Sequence, residues 1–180
     1  RLWRNIVFVV APLASGGVAY IQMQPNFEAP LELRTIHPAP PSTAKIYGER
    51  VNLLKLTNPF RQVEKKDPEK FRELVNEGAA VYIQNCQYCH GDKLDGDGPY
   101  AAGLNPTPLN FQDVGTIAQL QESYLFWRIT TGGPGLPKEA APWISSMPIW
   151  QDFLKEDEIW KVILYLYDYT GHRPRSWGHE

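Results

Sequence analysis

The sequence predicts a mostly helical domain that follows an N-terminal apolar helix and an extended, proline-rich linker. Three observations carry this expectation. Residues 6–21 form an apolar run without charge, five prolines fall between residues 25 and 41, and beyond residue 67 apolar residues recur at three- and four-residue spacing. No run shows the strict alternation of a half-buried strand.

At 180 residues the chain has room for one domain of ordinary size and an appendage, since domains run to about 100–150 residues. A composition 43% hydrophobic and 21% charged is that of a globular protein, and a net charge of −2 gives no reason to expect a nucleic-acid partner. Six Trp, nine Tyr and seven Phe suit a domain wrapped around a large flat apolar group, although aromatics also fill ordinary cores.

Residues 1–24 are expected to form a transmembrane anchor. Ile6 to Ile21 carries no charge and is preceded by Arg1 and Arg4. As a helix this run is about 24 Å long, short of a ~30 Å hydrocarbon core. Leu2, Trp3 and Met23 can extend it, with Arg4 snorkelling. A cleaved signal peptide, with Ala14-Ser15-Gly16 as a tolerable cleavage site, is the alternative. Pro12 and the Gly16-Gly17 pair are tolerated in membrane helices packed on a neighbour. With the arginines inside, the remainder of the chain faces the periplasmic side of the cell membrane.

Residues 25–66 read as an extended linker or a strap laid over another subunit. The globular domain is expected over residues 67–170. Its first helix opens at Asp67-Pro68-Glu69, an N-cap acid followed by proline at the first helical position. Phe71, Leu74, Val75, Gly78, Ala79, Tyr82 and Ile83 then mark one buried face. A second helix is expected over Leu120 to Thr131, stopped by Gly132-Gly133, and a third from about Lys155 to Tyr169, opened by three acids and closed near Gly171. Residues 171–180 form a tail whose His172 and His179 are candidate contacts with a neighbour.

The chain has two cysteines, three positions apart, too close and too few for a disulfide framework. Together with His90 they form Cys86-Gln87-Tyr88-Cys89-His90, the C-x-x-C-H signal for covalent attachment of one haem c. On one helical turn each thiol can form a thioether to a haem vinyl group, and His90 then ligates the iron. A thioredoxin-like pair would need a βαβ context. A zinc site would need further ligands, drawn from His37, His172 or His179.

A six-coordinate iron needs a second axial ligand. The methionines are Met23, in the anchor, and Met147, in the aperiodic stretch Trp143 to Trp150. Met147 is the expected ligand, and thioether ligation raises the potential. The alternatives are that Met147 fills the core while a histidine, or nothing, takes that position. Haem propionates need donors if they are buried, and Arg128, Trp143, Trp150 and Tyr100 are the candidates. Asp92, Asp95 and Asp97 form a solvated turn or part of a docking rim.

From Asp67 to Thr170 these residues resemble the class I cytochromes c. The resemblance rests on the haem motif, on Gly78 and Tyr82 eight and four residues before the first cysteine, and on the loop from Gly91 through Gly96-Asp97-Gly98-Pro99 to Pro106-Thr107-Pro108-Leu109-Asn110-Phe111. It implies a class I cytochrome c fold in which Gly78 and Tyr82 cross Val162 and Tyr165 of the last helix. It also implies a proline carbonyl, from Pro106 or Pro108, that accepts the hydrogen bond of the free His90 nitrogen.

No array of catalytic acid, base and nucleophile accompanies the haem motif, so the expected role is single-electron transfer without a small-molecule substrate. Anchor, strap and haem domain in that order resemble the haem subunits of bacterial respiratory complexes. Met23-Gln24-Pro25 and Pro40-Pro41-Ser42-Thr43-Ala44 resemble the linker of the monohaem subunit of alternative complex III, a quinol-oxidising complex, and the layout also resembles the cytochrome subunit of nitric oxide reductase. The expected partners are other subunits of a membrane electron-transfer complex, redox proteins and the membrane itself. A haem sensor or small peroxidase is the alternative if the sixth iron position is open, and a structural strap whose haem merely relays electrons is a third reading.

Overall fold

The N-terminal residues, free of charge between Ile6 and Ile21, form one helix, α1, over Leu2–Met23. The computed structural model describes residues 2–23, 39–137 and 145–175, apart from the side chains of Leu2, Arg4, Asn5, Val9 and Ile21. The chain divides into two units, Arg1–Arg34 and Thr35–Glu180. In α1, Pro12 sits inside the helix and its carbonyl accepts from the Ser15 hydroxyl at 3.0 Å. Its described apolar side chains, among them Phe8, Leu13 and Val18, are exposed. Among the described residues, no helix is long and apolar enough to cross a membrane. Helix α1 covers residues 2–23 of the expected 1–24 segment.

The second unit opens with an element absent from the sequence expectation, a two-stranded antiparallel hairpin. Strand β1 is Thr43–Ile46 and β2 is Glu49–Asn52, paired with Thr43 opposite Asn52 and Ile46 opposite Glu49. Tyr47 and Gly48 make the turn, with φ of 50° and 84°, the left-handed pair that matches the twist of a hairpin. Four-residue strands give only two alternations each, too few to read. Ile46 and Leu53 are both 2% exposed, and Ala44, Val51, Leu56 and Phe60 pack against the same core. Residues 39–66 pack within this unit, where the sequence suggests an extended linker or strap over 25–66. Residues 24–38, with His37, lie outside the described residues.

A short helix α2, Val63–Lys66, leads into α3, Pro68–Asn85. The Asp67 carboxylate accepts from the Lys70 amide at 3.0 Å, the N-cap bond that the Asp-Pro-Glu start implies. Phe71, Leu74, Val75, Gly78 and Tyr82 form the buried face. Ile83 does not belong to it and is 50% exposed. After the single turn α4, Gln87–His90, a long loop leads to α5, Glu122–Thr131, and a second loop to α6, Glu156–Thr170. The Glu158 carboxylate accepts from the Lys155 amide at 2.7 Å at the start of α6. Left-handed Gly171 (φ 68°) ends it.

Helix α3 crosses α6, and a Cβ on Gly78 would collide with the Lys161 carbonyl. The two backbones therefore touch, which only glycine permits. Around the crossing lie Phe71, Leu74, Val75 and Leu164, while a larger cluster joins α5 and α6 through Trp127, Ile159, Val162 and Tyr167. Phe126 stacks on Trp160 with ring centroids 4.1 Å apart and planes 9° from parallel. Of the tail, residues 171–175 are described, and the Arg175 amide donates to the Leu120 carbonyl at 3.0 Å. His172 is half-buried, and His179 lies outside the described residues.

A polar clamp ties the segment before α2 to this core. Arg61 grips Glu122 through Nη2 at 2.8 Å and Nε at 3.3 Å, and the amide of buried Asn58 donates to Glu122 and to the Trp160 carbonyl. The Arg61 guanidinium also lies over the Tyr167 ring.

Candidate cofactor site

The Cys86 amide donates to the Tyr82 carbonyl at 2.7 Å and the His90 amide to the Cys86 carbonyl at 2.9 Å. These bonds carry the helical path of α3 into α4 and place Cys86, Cys89 and His90 on one turn. The loop that follows folds back over α4. A Cβ on Gly98 would come within 2.6 Å of the Gln87 and Tyr88 carbonyls, and the Tyr100 amide donates to the Tyr88 carbonyl at 2.9 Å. The Gly96-Asp97-Gly98 run is thus a requirement of close approach.

Residues 145–148 arrive from the other direction, laid against the glycines that end α5. The Gly133 amide donates to the Met147 carbonyl at 2.8 Å, and a Cβ on Gly132 would collide with the Pro148 carbonyl. The Met147 amide donates to the Ser145 hydroxyl at 3.3 Å.

Between these two segments lies a largely apolar cavity of about 390 Å³. Cys86, Cys89, His90 and Met147 all line it, with Tyr100, Pro106, Pro108, Arg128 and Trp150. Trp143 lies outside the described residues. The sequence reading did not single out Leu109, Phe111, Tyr124, Leu125, Ile129, Val162 and Leu166 as site residues, and they supply much of the apolar wall. The spacing of Tyr124, Leu125, Arg128 and Ile129, one stripe of a helix, is the signal that could have found four of the lining positions. Gly78 and Tyr82 meet α6 where expected: the Gly78 backbone lies against Lys161 and Val162, and the Tyr82 and Tyr165 rings stand 5.4 Å apart.

One positioning bond differs from expectation. The Nδ1 of His90 faces the carbonyl of Leu109 at 3.4 Å, rather than that of Pro106 or Pro108. The Pro108 carbonyl is turned onto Gly96, where a Cβ would meet it at 2.6 Å, so the next carbonyl in the loop takes the place beside the imidazole. Pro106 follows a cis peptide bond from Asn105. Phe111 supports the imidazole from the side, with ring centroids 5.2 Å apart.

Burial governs the chemistry of these groups. It pushes the Cys86 thiol up to about 12, with the neighbouring Cys89 adding to the effect, and both cysteines are free. Burial also lowers the His90 pKa, partly opposed by the Leu109 carbonyl. The imidazole is therefore held neutral, the state in which a ring nitrogen can ligate a metal. Arg128 is lowered by desolvation, while its guanidinium donates to the Gly132 carbonyl at 2.8 Å and lies 5.5 Å over Trp127. Tyr88 and Tyr100 stack at 6.0 Å and are both exposed at the rim.

The family model described as cytochrome C oxidase, cbb3-type, subunit III matches residues 73–166, just over half of the chain. The chain belongs to that family. Membership makes it a class I c-type cytochrome whose cofactor is a covalently bound haem c. No curated protein and no solved structure matches the chain significantly. The matched span of this cytochrome runs from α3 into α6 and includes every residue described here around the cavity. The donor set suits the cofactor: two adjacent free thiols, a neutral imidazole and a thioether converge on an apolar space large enough for a flat ring.

Proposed function

We propose that the chain is a one-electron carrier whose haem is attached through Cys86 and Cys89 and ligated axially by His90 and Met147. The observation that carries this reading is that both thiols, the imidazole and the Met147 side chain line one apolar cavity. Haem c supplies a one-electron iron couple when bound there. The protein's own residues do the rest. Leu109 orients the imidazole, the aromatic and aliphatic wall keeps water out, and Arg128 offers a cation inside the wall for a propionate, with Trp150 and Tyr100 as further donors. A thioether ligand and a dry wall both favour the reduced iron and raise the potential. With both axial positions filled, the carrier has no open site for a small-molecule substrate.

The test is the haem-loaded full chain beside its Met147→Ala variant. The variant should lose the thioether-to-iron charge-transfer band, fall in midpoint potential and bind carbon monoxide when reduced. A spectrum and potential unchanged by the substitution would count against the ligand assignment and favour the sensor or peroxidase reading.

We further propose that residues 1–24 anchor the chain in the cell membrane, with the linker following residue 24 and the haem domain on the periplasmic side. The support is the absence of charge between Ile6 and Ile21 and the exposure of apolar side chains on α1. The chain should stay with membranes in high salt and leave them only in detergent. Release by salt alone would overturn the anchor. The parent assembly we place among respiratory complexes, as a quinol-oxidising, alternative complex III-like subunit. Affinity purification of the intact chain should bring down a quinol-oxidising module, whereas an oxidase or a nitric oxide-reducing module would overturn that assignment.

A further inference from the structure

The hairpin turn requires a left-handed backbone at its tip, and a tyrosine supplies it. Tyr47 holds a left-handed backbone, φ 50°, where glycine or asparagine is the ordinary occupant. Its contacts reach across more than a hundred residues. The Tyr47 hydroxyl donates to the Leu154 carbonyl at 2.8 Å, and the Tyr47 amide donates to Oε1 of Gln151 at 2.7 Å. Both acceptors lie in the turn that begins at Trp150, three residues after Met147. Trp150 itself lines the cavity, and Trp150, Leu154 and Met147 pack on the core cluster that includes Ile46 of the hairpin.

The segment from Ser145 to Leu154 is thus held at two ends. Gly133 takes the Met147 carbonyl on the upstream side, and the hairpin tip takes Gln151 and Leu154 on the downstream side. Between these fixed points the Met147 side chain enters the cavity with few other polar restraints on its backbone among the described residues, the Ser145 bond being one.

We propose that Tyr47 is a positioning residue for the sixth haem ligand: the hairpin tip latches the turn after Met147 and so limits how often the thioether leaves the iron. The inference rests on the assignment of Met147 as that ligand. Loosening the latch lets the 147–154 segment lift, and an external ligand then finds the sixth position open for a larger fraction of the time. Burial pushes the Tyr47 hydroxyl up to about 12, so it stays a hydrogen-bond donor throughout the neutral range.

The experiment uses the haem-loaded full chain and follows two probes, carbon monoxide with the reduced protein and imidazole with the oxidised protein. Tyr47→Phe, which keeps the ring and removes the hydroxyl, should speed binding of both by about three- to tenfold, the factor expected for one hydrogen bond. Gln151→Ala should act in the same direction. Arg61→Ala, which breaks the distant clamp to Glu122, serves as the stability control. It should lower the urea midpoint at least as much as Tyr47→Phe yet leave both binding rates within about twofold of wild type.

Rates that follow the urea midpoint across all three variants would overturn the latch, because the hairpin would then contribute only general stability. Rates unchanged in Tyr47→Phe and Gln151→Ala would overturn it as well. Met147→Ala separates the two readings: fast binding in that variant with no effect of Tyr47→Phe rejects the latch alone. Binding by Met147→Ala no faster than wild type rejects the ligand assignment and the latch with it.

Discussion

The hydroxyl of Tyr82 donates to the carbonyl of Gly91 at 2.7 Å, tying the last turns of α3 to the residue that follows His90. Tyr82 is 1% exposed and its pKa is pushed far upward by burial, so the hydroxyl keeps its proton throughout the neutral range. Tyr82→Phe should leave the Gly91 carbonyl buried without that donor. The expected cost is about 1–2 kcal/mol, read as a lower urea midpoint with an unchanged slope. An unaltered midpoint would mean that water or a shifted backbone group replaces the hydroxyl.

Gly78 makes the other close contact of that helix. A Cβ there meets the Lys161 carbonyl head-on and stands 3.0 Å from the Val162 amide nitrogen. Backbone cannot swing aside as a side chain can. Gly78→Ala should force α3 and α6 apart and cost about 1–3 kcal/mol, despite the better helix propensity of alanine. Because Val162 and Leu166 of α6 line the cavity, the haem absorption of the variant should broaden as well. A stability gain from Gly78→Ala would falsify the close crossing.

The crossing and the haem motif were legible because each has a local signature. Cys86 to His90 is contiguous, Asp67-Pro68 marks a helix start, and Gly78 and Tyr82 lie at a fixed offset from the first cysteine. The place of Met147 at the cavity could be reached by elimination, since Met23 lies at the end of the N-terminal apolar segment. What could not be read depends on tertiary context. The hairpin strands are too short for a period-two pattern, and Tyr47 occupies a turn position that would ordinarily call for glycine. The choice of Leu109 over Pro108 as the carbonyl beside His90 is decided by Pro108 resting on Gly96, a contact between loop residues that no spacing rule encodes.

Lys161 bridges α3 and α6, with Nζ 2.8 Å from both Glu77 and Asp157. The hydrogen bond to Lys161 holds the Asp157 carboxyl below its ordinary 3.8, and the bonds to Asp157 and Glu77 hold Lys161 above its ordinary 10.5, although burial opposes both shifts. The signs follow. The Asp157 contribution is present above pH 3.8 and lost as pH falls through its lowered folded value. The Lys161 contribution is present below pH 10.5 and lost as pH rises through its raised folded value. The carboxylate side chains are about half exposed, 48% and 52%, so the network contributes at most about 1 kcal/mol. Urea midpoints of wild type and Lys161→Met, measured across pH, should differ most between these limits and converge outside them. A constant difference would assign the effect to the packing of the Lys161 side chain rather than to its charge.

The Arg61–Glu122 pair differs from that surface network in its surroundings. Its side chains are 25% and 11% exposed, the contact is bidentate, and the same carboxylate accepts from the amide of Asn58, itself 4% exposed. Glu122→Ala would leave the half-buried Arg61 guanidinium with only its longer, 3.4 Å contact to the more exposed Glu64 and would remove one of the two acceptors of the Asn58 amide. A buried charge that loses its main partner is the costly case, so the loss should reach about 2–3 kcal/mol. Glu122→Gln keeps the shape and one acceptor oxygen but not the charge, and should lose about half as much. Added salt separates this pair from an exposed one, because screening acts weakly on charges shielded from solvent. Raising ionic strength should therefore shrink the Lys161→Met effect while leaving the Glu122→Ala effect nearly intact. Equal salt sensitivity of the two would place Glu122 in solvent and remove the clamp as the reason that residues 58–61 stay on α5 and α6.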